Sequence, residues 1–154
     1  EAKLEGLKEV YPAAEAVKDE SEKYINDSTP SEITEVNVAY IDSKPVGVIY
    51  TVEPRGYSGP ISTMVGFDIE EKEITRIKII SQSETPGLGA QCVEPWFTER
   101  YQGKDAAKPL EVTKNEPAGD NQIVAITAST ITSKAVTDGV NIAREHFLEN
   151  FVRE

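Results

Sequence analysis

The stretch ISTMVGFDIEEKEITRIKII, residues 61–80, decides the fold. Residues 61–69 and 74–80 are rich in apolar and β-branched side chains, and the second run alternates with polar residues, which predicts two strands. Only four charged residues, 70–73, separate them. A connection this short leaves no room for a crossover helix, so the strands must be antiparallel neighbours.

The segments before this hairpin extend the same pattern. Residues 36–40 and 46–52 read as two more strands around a turn at Ser43-Lys44-Pro45, and residues 56–60, GYSGP, read as a loop. Together with residues 61–80 they predict an antiparallel meander. Nearer the N-terminus, residues 2–17 have helical spacing broken at Pro12, and residues 18–33 are mostly polar with a turn near 27–30.

The segments after the hairpin add helices. Val136, Val140, Ala143, Phe147 and Phe151 fall on one face of a helix that starts near Thr130. A short aromatic helix is predicted over 91–101, a weak strand near 110–112, and a short apolar run covers 123–126. The predicted class is therefore α+β, with antiparallel β-sheet flanked by helices.

Charge and composition exclude several functions. The chain has 154 residues and a formal net charge of −11, which argues against binding nucleic acid. One cysteine and one histidine cannot build a cysteine metal cluster, and we assign no metal-ligating or catalytic residue. Cys92 is predicted to be a small buried hydrophobe, Trp96 and Phe97 core residues, and His146 a cation at a helix C-terminus.

The stretch TASTITSK, residues 127–134, holds five hydroxyl side chains among eight residues at the start of the last helix. One interpretation is that Thr127, Ser129 or Thr130 is the N-cap and the other hydroxyls are incidental. The other is a phosphate site, since a helix start offers free N–H groups and a partial positive charge. This segment alone favours the first interpretation.

Two glycine-containing loops allow the same pair of interpretations. ETPGLG at 84–89 is either a tight turn or a loop where a planar ligand meets the backbone closely. In GYSGP at 56–60, Tyr57 either belongs to a hairpin connection or packs against a ring.

Taken in order, Gly56-Tyr57-x-Gly59-x-Ile61, the complete ETPGLG, the aromatic helix and the TASTITSK segment resemble the FMN-binding domain. That family includes the RnfG subunit of Rnf electron-transport complexes and the NqrC subunit of sodium-pumping NADH:quinone oxidoreductases, and the likeness favours RnfG. In it, a flavin transferase joins the FMN phosphate to a threonine hydroxyl, and the matching threonine is Thr130. The implied cofactor residues are Thr130, Thr127, Ala128, Ser129, Ile131, Glu84, Thr85, Pro86, Gly87, Leu88, Gly89, Tyr57 and Gly59.

The resemblance implies an electron-carrier subunit with covalent FMN in a membrane ion-translocating complex, a redox carrier with no independent catalytic activity. Its partners would be the membrane subunits and the flavin transferase. The family usually has Gly-Ala at 128–129 and an acid at 124, where this chain has Ala128, Ser129 and Val124. These differences keep two alternatives open: a flavin-free interaction module of the same fold, and an oxidoreductase with non-covalent FMN.

The resemblance covers residues 46–151 and suggests how the chain is divided. We expect residues 1–33 to be a helical segment after a removed membrane anchor, and residues 34–154 to be the FMN-binding domain. The sequence starts at Glu1 without an initiator Met, which agrees with a lost N-terminal anchor helix. The domain would then be extracytoplasmic, held at the cell membrane by that helix.

Overall fold

A computed structural model describes residues 2–114 and 119–152, with side chains from residue 6 onward. Four α-helices and seven β-strands are present in these ranges. The helices are α1 (Ala2–Val10), α2 (Ser21–Tyr24), α3 (Pro95–Thr98) and α4 (Thr130–Phe147). The strands are β1 (Ala16–Asp19), β2 (Ile33–Ile41), β3 (Lys44–Val52), β4 (Ser62–Asp68), β5 (Glu73–Ser81), β6 (Glu111–Thr113) and β7 (Gln122–Val124).

The main sheet is an antiparallel meander of five strands in the order β1-β2-β3-β4-β5. The α+β class and the four strands predicted from the sequence are confirmed. The β2–β3 turn lies one residue earlier than predicted, because Asp42 and Ser43 both have positive φ and Lys44 already pairs with Ile41. Two positive-φ residues in a row match the turn that best fits the twist of paired strands.

Helix α4 covers one face of the sheet. Val136, Val140 and Phe147 are fully buried against strand residues that include Tyr50 and Phe67. The rings of Phe67 and Phe147 stack with their centroids 4.7 Å apart. The predicted apolar face is therefore confirmed within α4, while Phe151 lies in the π-helical turn that follows, Leu148–Val152, and stacks on Phe147. This packing fixes where the first turn of α4 lies relative to the strand ends.

Helix α1 covers the opposite face of the sheet. Leu7, Val10 and Tyr11 pack on a second cluster that includes Ile49 and Met64. The helix ends at Val10, which agrees with the predicted break at Pro12, and no helix restarts over residues 13–17. Residues 16–19 instead form β1, which pairs with β2 across the predicted division at residues 33 and 34. That division stays a prediction.

The segment after β5 contains short turns where one helix was predicted. Residues 89–93 and 99–101 are 3₁₀ turns on either side of α3. Cys92 and Phe97 are buried as predicted, but Trp96 is 45% exposed and is not a core residue. Its indole instead lies under the guanidinium of Arg100, 5.1 Å from the ring centroid, and Arg100 also donates to the backbone oxygen of Val124.

The two remaining strands, β6 and β7, form a small parallel pair that precedes α4 in the chain. β6 confirms the weak strand predicted near 110–112, and β7 covers the first part of the apolar run at 123–126. Residues 125–129 then connect β7 to Thr130. Within the ranges that the structure describes, no helix has the length and apolar character needed to cross a bilayer.

Candidate functional site

A cavity of about 520 Å³ opens where the start of α4 meets two loops. The loops are those predicted from the sequence, residues 56–60 and 84–89. The lining residues are Tyr57, Thr85, Leu88, Gly89, Ala128, Ser129, Thr130, Ile131 and Thr132. Three stretches far apart in sequence thus meet at one site, and eight of the thirteen predicted cofactor residues line it.

The other five predicted residues lie around the cavity without lining it. Glu84 and Gly59 are buried in the two loops, while Pro86, Gly87 and Thr127 are exposed. Gly87 has a φ of +77°, a conformation that favours glycine, and a Cβ there would meet no neighbouring atom. Gly87 therefore shapes the turn of the 84–89 loop.

Glu84 joins all three parts of the site. Its Oε1 accepts a hydrogen bond from the backbone N–H of Tyr57 at 2.8 Å and from the hydroxyl of Thr132 at 2.5 Å. Its Oε2 accepts from the N–H of Ser58 at 2.9 Å. Burial raises the pKa of Glu84, but these donors and the N–H of Gly59 together outweigh burial, so the pKa lies below its ordinary value. The carboxylate is therefore charged at neutral pH.

Gly89 allows the 84–89 loop to pack directly on α4. A Cβ at this position would lie 2.4 Å from the Thr132 hydroxyl oxygen and 3.0 Å from the Cβ of Glu84. The loop itself is closed by the N–H groups of Leu88 and Ala90, which both donate to the backbone oxygen of Thr85. The second glycine of the loop is thus required for close packing, and the first for backbone conformation.

The first turn of α4 has no side-chain cap. Ser129 occupies the N-cap position but makes no capping hydrogen bond, and Thr130 is the first helical residue. The hydroxyl of Ser133 donates to the backbone oxygen of Ser129 at 3.0 Å and accepts from the N–H of Ile126 at 2.9 Å. The capping interpretation therefore does not explain the hydroxyls at 127–130. The uncapped start leaves N–H groups and a partial positive charge beside Thr130.

Ala128 has a φ of +63°, in the left-handed region. This is the position where the resembled family usually has glycine. The backbone of the segment thus keeps a glycine-like conformation although the residue is alanine, at a cost of about 1–2 kcal/mol.

The cavity is uncharged and its rim is apolar. None of the nine lining residues carries a charge, and Tyr57 and Ile131 are 69% and 57% exposed at the rim. Exposed apolar side chains around a concavity favour a planar, largely apolar ligand. The uncapped helix start beside them favours an anionic group on that ligand.

Two other candidate residues lie outside this site. His146 lies in the last turn of α4, as predicted, but it is buried. Its Nδ1 is 2.6 Å from the Tyr50 hydroxyl and its Nε2 is 3.1 Å from the Tyr24 backbone oxygen, so it connects the core to α2. Burial raises the pKa of Cys92 to about 11, which keeps the thiol protonated and unreactive.

Thr132 is a lining residue that the sequence analysis does not predict. The signal was its position two residues after Thr130 in the same hydroxyl-rich stretch. Its partner Glu84, which the resemblance implies as a cofactor residue, does not line the cavity.

Comparisons with known proteins find one domain family and relatives that are G subunits of ion-translocating oxidoreductase complexes. The profile of the FMN-binding domain matches residues 56–145. The G subunit of the Na⁺-translocating ferredoxin:NAD⁺ oxidoreductase complex of Acetobacterium woodii is 40% identical over 137 residues, which is 88% of this chain and 64% of that protein. The G subunit of the proton-translocating ferredoxin:NAD⁺ oxidoreductase complex of Clostridium ljungdahlii is 39% identical over 103 residues, 67% of this chain and 54% of that protein. The chain thus spans less than two thirds of these two relatives.

The fold also matches a solved structure. The crystal structure of the C subunit of the Na⁺-translocating NADH-quinone reductase from Parabacteroides distasonis superposes with a TM-score of 0.69 at 23% identity. The match covers 92% of this chain and 79% of that one. At this identity the match shows a shared fold.

Proposed function

The chain belongs to the FMN-binding domain family, and on that premise we propose that its cavity holds FMN as a phosphoester of Thr130. The main support is the convergence of the Thr130 hydroxyl, an uncapped helix start and two glycine loops on one cavity. Its volume of about 520 Å³ lies in the usual range for small-molecule sites.

The residues present suit the parts of FMN. The N–H groups at the start of α4 and the hydroxyl of Thr130 would hold the phosphate, whose charge the helix dipole favours. Thr85, Leu88 and Gly89 would contact the isoalloxazine ring on one side, with Tyr57 at the rim. Bound flavin supplies redox chemistry that accepts electrons in pairs and releases them singly, while the protein orients it and tunes its potential.

For the whole protein, we infer an electron-carrier subunit of a membrane ion-translocating oxidoreductase complex of the Rnf type. The names of the relatives support this role. Its partners would be the membrane subunits of the complex and the flavin transferase, with the domain outside the cytoplasm on an N-terminal anchor. Full-length protein solubilised from host membranes should then migrate with the other subunits.

Intact mass tests the covalent bond. Protein co-expressed with a flavin transferase should gain the mass of FMN minus one water, and Thr130→Ala should gain nothing. Thr127→Ala is the matched control, because Thr127 is an exposed hydroxyl in the same stretch that does not line the cavity. Equal loading of wild type and Thr130→Ala would refute attachment at Thr130.

The two alternative functions are motivated by Ala128 and Ser129, which stand where the family usually has Gly-Ala. Acid precipitation separates them from the proposal: yellow colour in the pellet supports the covalent bond, and colour in the supernatant supports an oxidoreductase with loosely held FMN. Protein that stays colourless after maturation in its native host would support the flavin-free interaction module.

A further inference from the structure

We propose that Glu84 is a positioning residue that holds both cavity loops on α4 and whose fixed negative charge makes the flavin harder to reduce. This inference rests on the proposed function, because it concerns the flavin that the cavity would hold. Glu84 itself does not line the cavity. It acts through the residues to which it is hydrogen bonded.

The positioning role follows from which groups donate to the carboxylate. Tyr57 and Thr132 line the cavity on different elements, and both donate to Oε1. Ser58 donates to Oε2, so both oxygens are used. A single buried side chain therefore fixes the 56–60 loop against the first turn of α4, two residues from Thr130. Hydrogen bonds to a charged acceptor are stronger than neutral ones, which makes this an effective attachment.

The electrostatic role follows from the burial of Glu84 and from the neutral character of the partners that the structure describes for its carboxylate. Glu84 is 4% exposed, and the partners that the structure describes for it are neutral N–H and O–H donors. Its charge lies one hydrogen bond behind the cavity wall, with no charged residue among the lining. Charges interact more strongly at such sites than in water. Reduction adds negative charge to a flavin, so a nearby fixed anion disfavours the reduced form.

Alternative roles for Glu84 predict different behaviour. A purely structural residue would affect stability but leave the flavin potential unchanged. A surface charge of the same sign would be screened by salt and have little effect. The potential of the loaded protein therefore distinguishes the proposed role from both.

The test compares midpoint potentials of flavin-loaded wild type, Glu84→Gln and Glu94→Gln, each confirmed as loaded by intact mass. Glu94 is exposed and provides the matched control for losing one negative charge. Glu84→Gln should shift the midpoint to a more positive potential, and Glu94→Gln should not. Thr132→Val, which removes one donor but keeps the charge, should shift it less than Glu84→Gln.

Amide hydrogen exchange tests the positioning role in protein without flavin. At least one of the N–H groups of Tyr57 and Ser58, which donate to different oxygens of Glu84, should exchange about tenfold faster or more in Glu84→Gln, because the amide replaces one of the two acceptor oxygens with a donor. Exchange in Glu94→Gln should equal that in wild type. Unchanged exchange at these two amides in Glu84→Gln would contradict the positioning role.

The outcomes separate this inference from the proposed function. If wild type gains no flavin mass at Thr130, the proposed function fails, and the exchange result still decides the positioning role. If Glu84→Gln loads but keeps the wild-type potential, the electrostatic role is refuted while the function stands. Should Glu84→Gln fail to fold or load, Glu84→Asp replaces it. That variant keeps the charge but moves the carboxylate back by one methylene group. If its amide exchange at Tyr57 and Ser58 and its midpoint potential both equalled those of wild type, the proposal would be overturned.

Discussion

At the scale of single residues, Ala128 adopts a backbone conformation that is unfavourable for alanine. Its φ is +63°, so Ala128→Gly removes a penalty of about 1–2 kcal/mol but adds freedom to the unfolded chain, worth about 0.4–1 kcal/mol. We expect Ala128→Gly to stabilise the protein by about 0.5–1 kcal/mol in urea unfolding. Ala107→Gly, at an exposed position without positive φ, should instead destabilise it. Destabilisation by both variants would contradict strain at Ala128.

Glu84 should also make stability depend on pH. Its folded pKa is lower than its ordinary value of 4.5, so the folded state binds the proton less tightly than the unfolded state. The stabilisation is then fully present above about pH 4.5 and is lost as the pH falls through the folded pKa. We expect the difference in unfolding free energy between wild type and Glu84→Gln to be largest at about pH 6–7 and to shrink towards about pH 3. A constant difference would exclude this linkage.

At the scale of elements, α1 is fixed to the sheet by Tyr11. The Tyr11 hydroxyl donates to Asp68 Oδ2 at 2.9 Å and contacts the Val46 backbone oxygen at 3.0 Å, and its ring lies where a Cβ on Gly47 would come within 2.2 Å. We expect Tyr11→Phe to lower the unfolding free energy by about 1–2 kcal/mol. Gly47→Ala should cost more, because the ring must move. Tyr57→Phe, at an exposed ring, should change stability little.

The sequence predicts those elements whose burial is regular. Helix α4 and strand β5 have the periodicity of one buried face. Strands β2, β3 and β4 lie between the helices on both faces of the sheet, so they are visible in the residues as short apolar runs. Strand β1 is missed because it is a short edge strand with mostly exposed side chains, so pairing with β2 and not burial defines it. Trp96 is misassigned because its partner Arg100 can cover the ring without burying it.

Some features of the candidate site could likewise be predicted from the sequence, and others could not. The resemblance supplies the loops at 56–60 and 84–89 and the start of α4, and eight of the predicted residues line the cavity. The hydrogen bond between Thr132 and Glu84 could not be predicted, because 48 positions separate two residues that meet only after both loops pack on α4. The positive φ of Ala128 was indicated only by the glycine that the resembled family usually has there, since alanine itself ordinarily adopts a different backbone conformation.

At the scale of the whole molecule, the two cores hold the sheet between α1 and α4 and leave the cavity at one end of α4. The site is thus made of loops on a packed support, where a ligand can add contacts that the unloaded protein lacks. An attached group that makes contacts in the folded state and none in the unfolded state raises the free energy of unfolding. On the proposed function, flavin attachment should therefore stabilise the entire domain.

We expect calorimetry to show a Tm several degrees higher for the flavin-loaded protein than for the unloaded protein. For a chain of this size, about 1 kcal/mol raises Tm by about 2–4 °C. Thr130→Ala from the same transferase co-expression should melt like unloaded wild type, whereas loaded Thr127→Ala should keep the increase. Attached flavin that left Tm unchanged would mean that the ring does not pack in the cavity. The phosphoester would then join Thr130 to a cofactor that Tyr57, Leu88 and Gly89 do not hold.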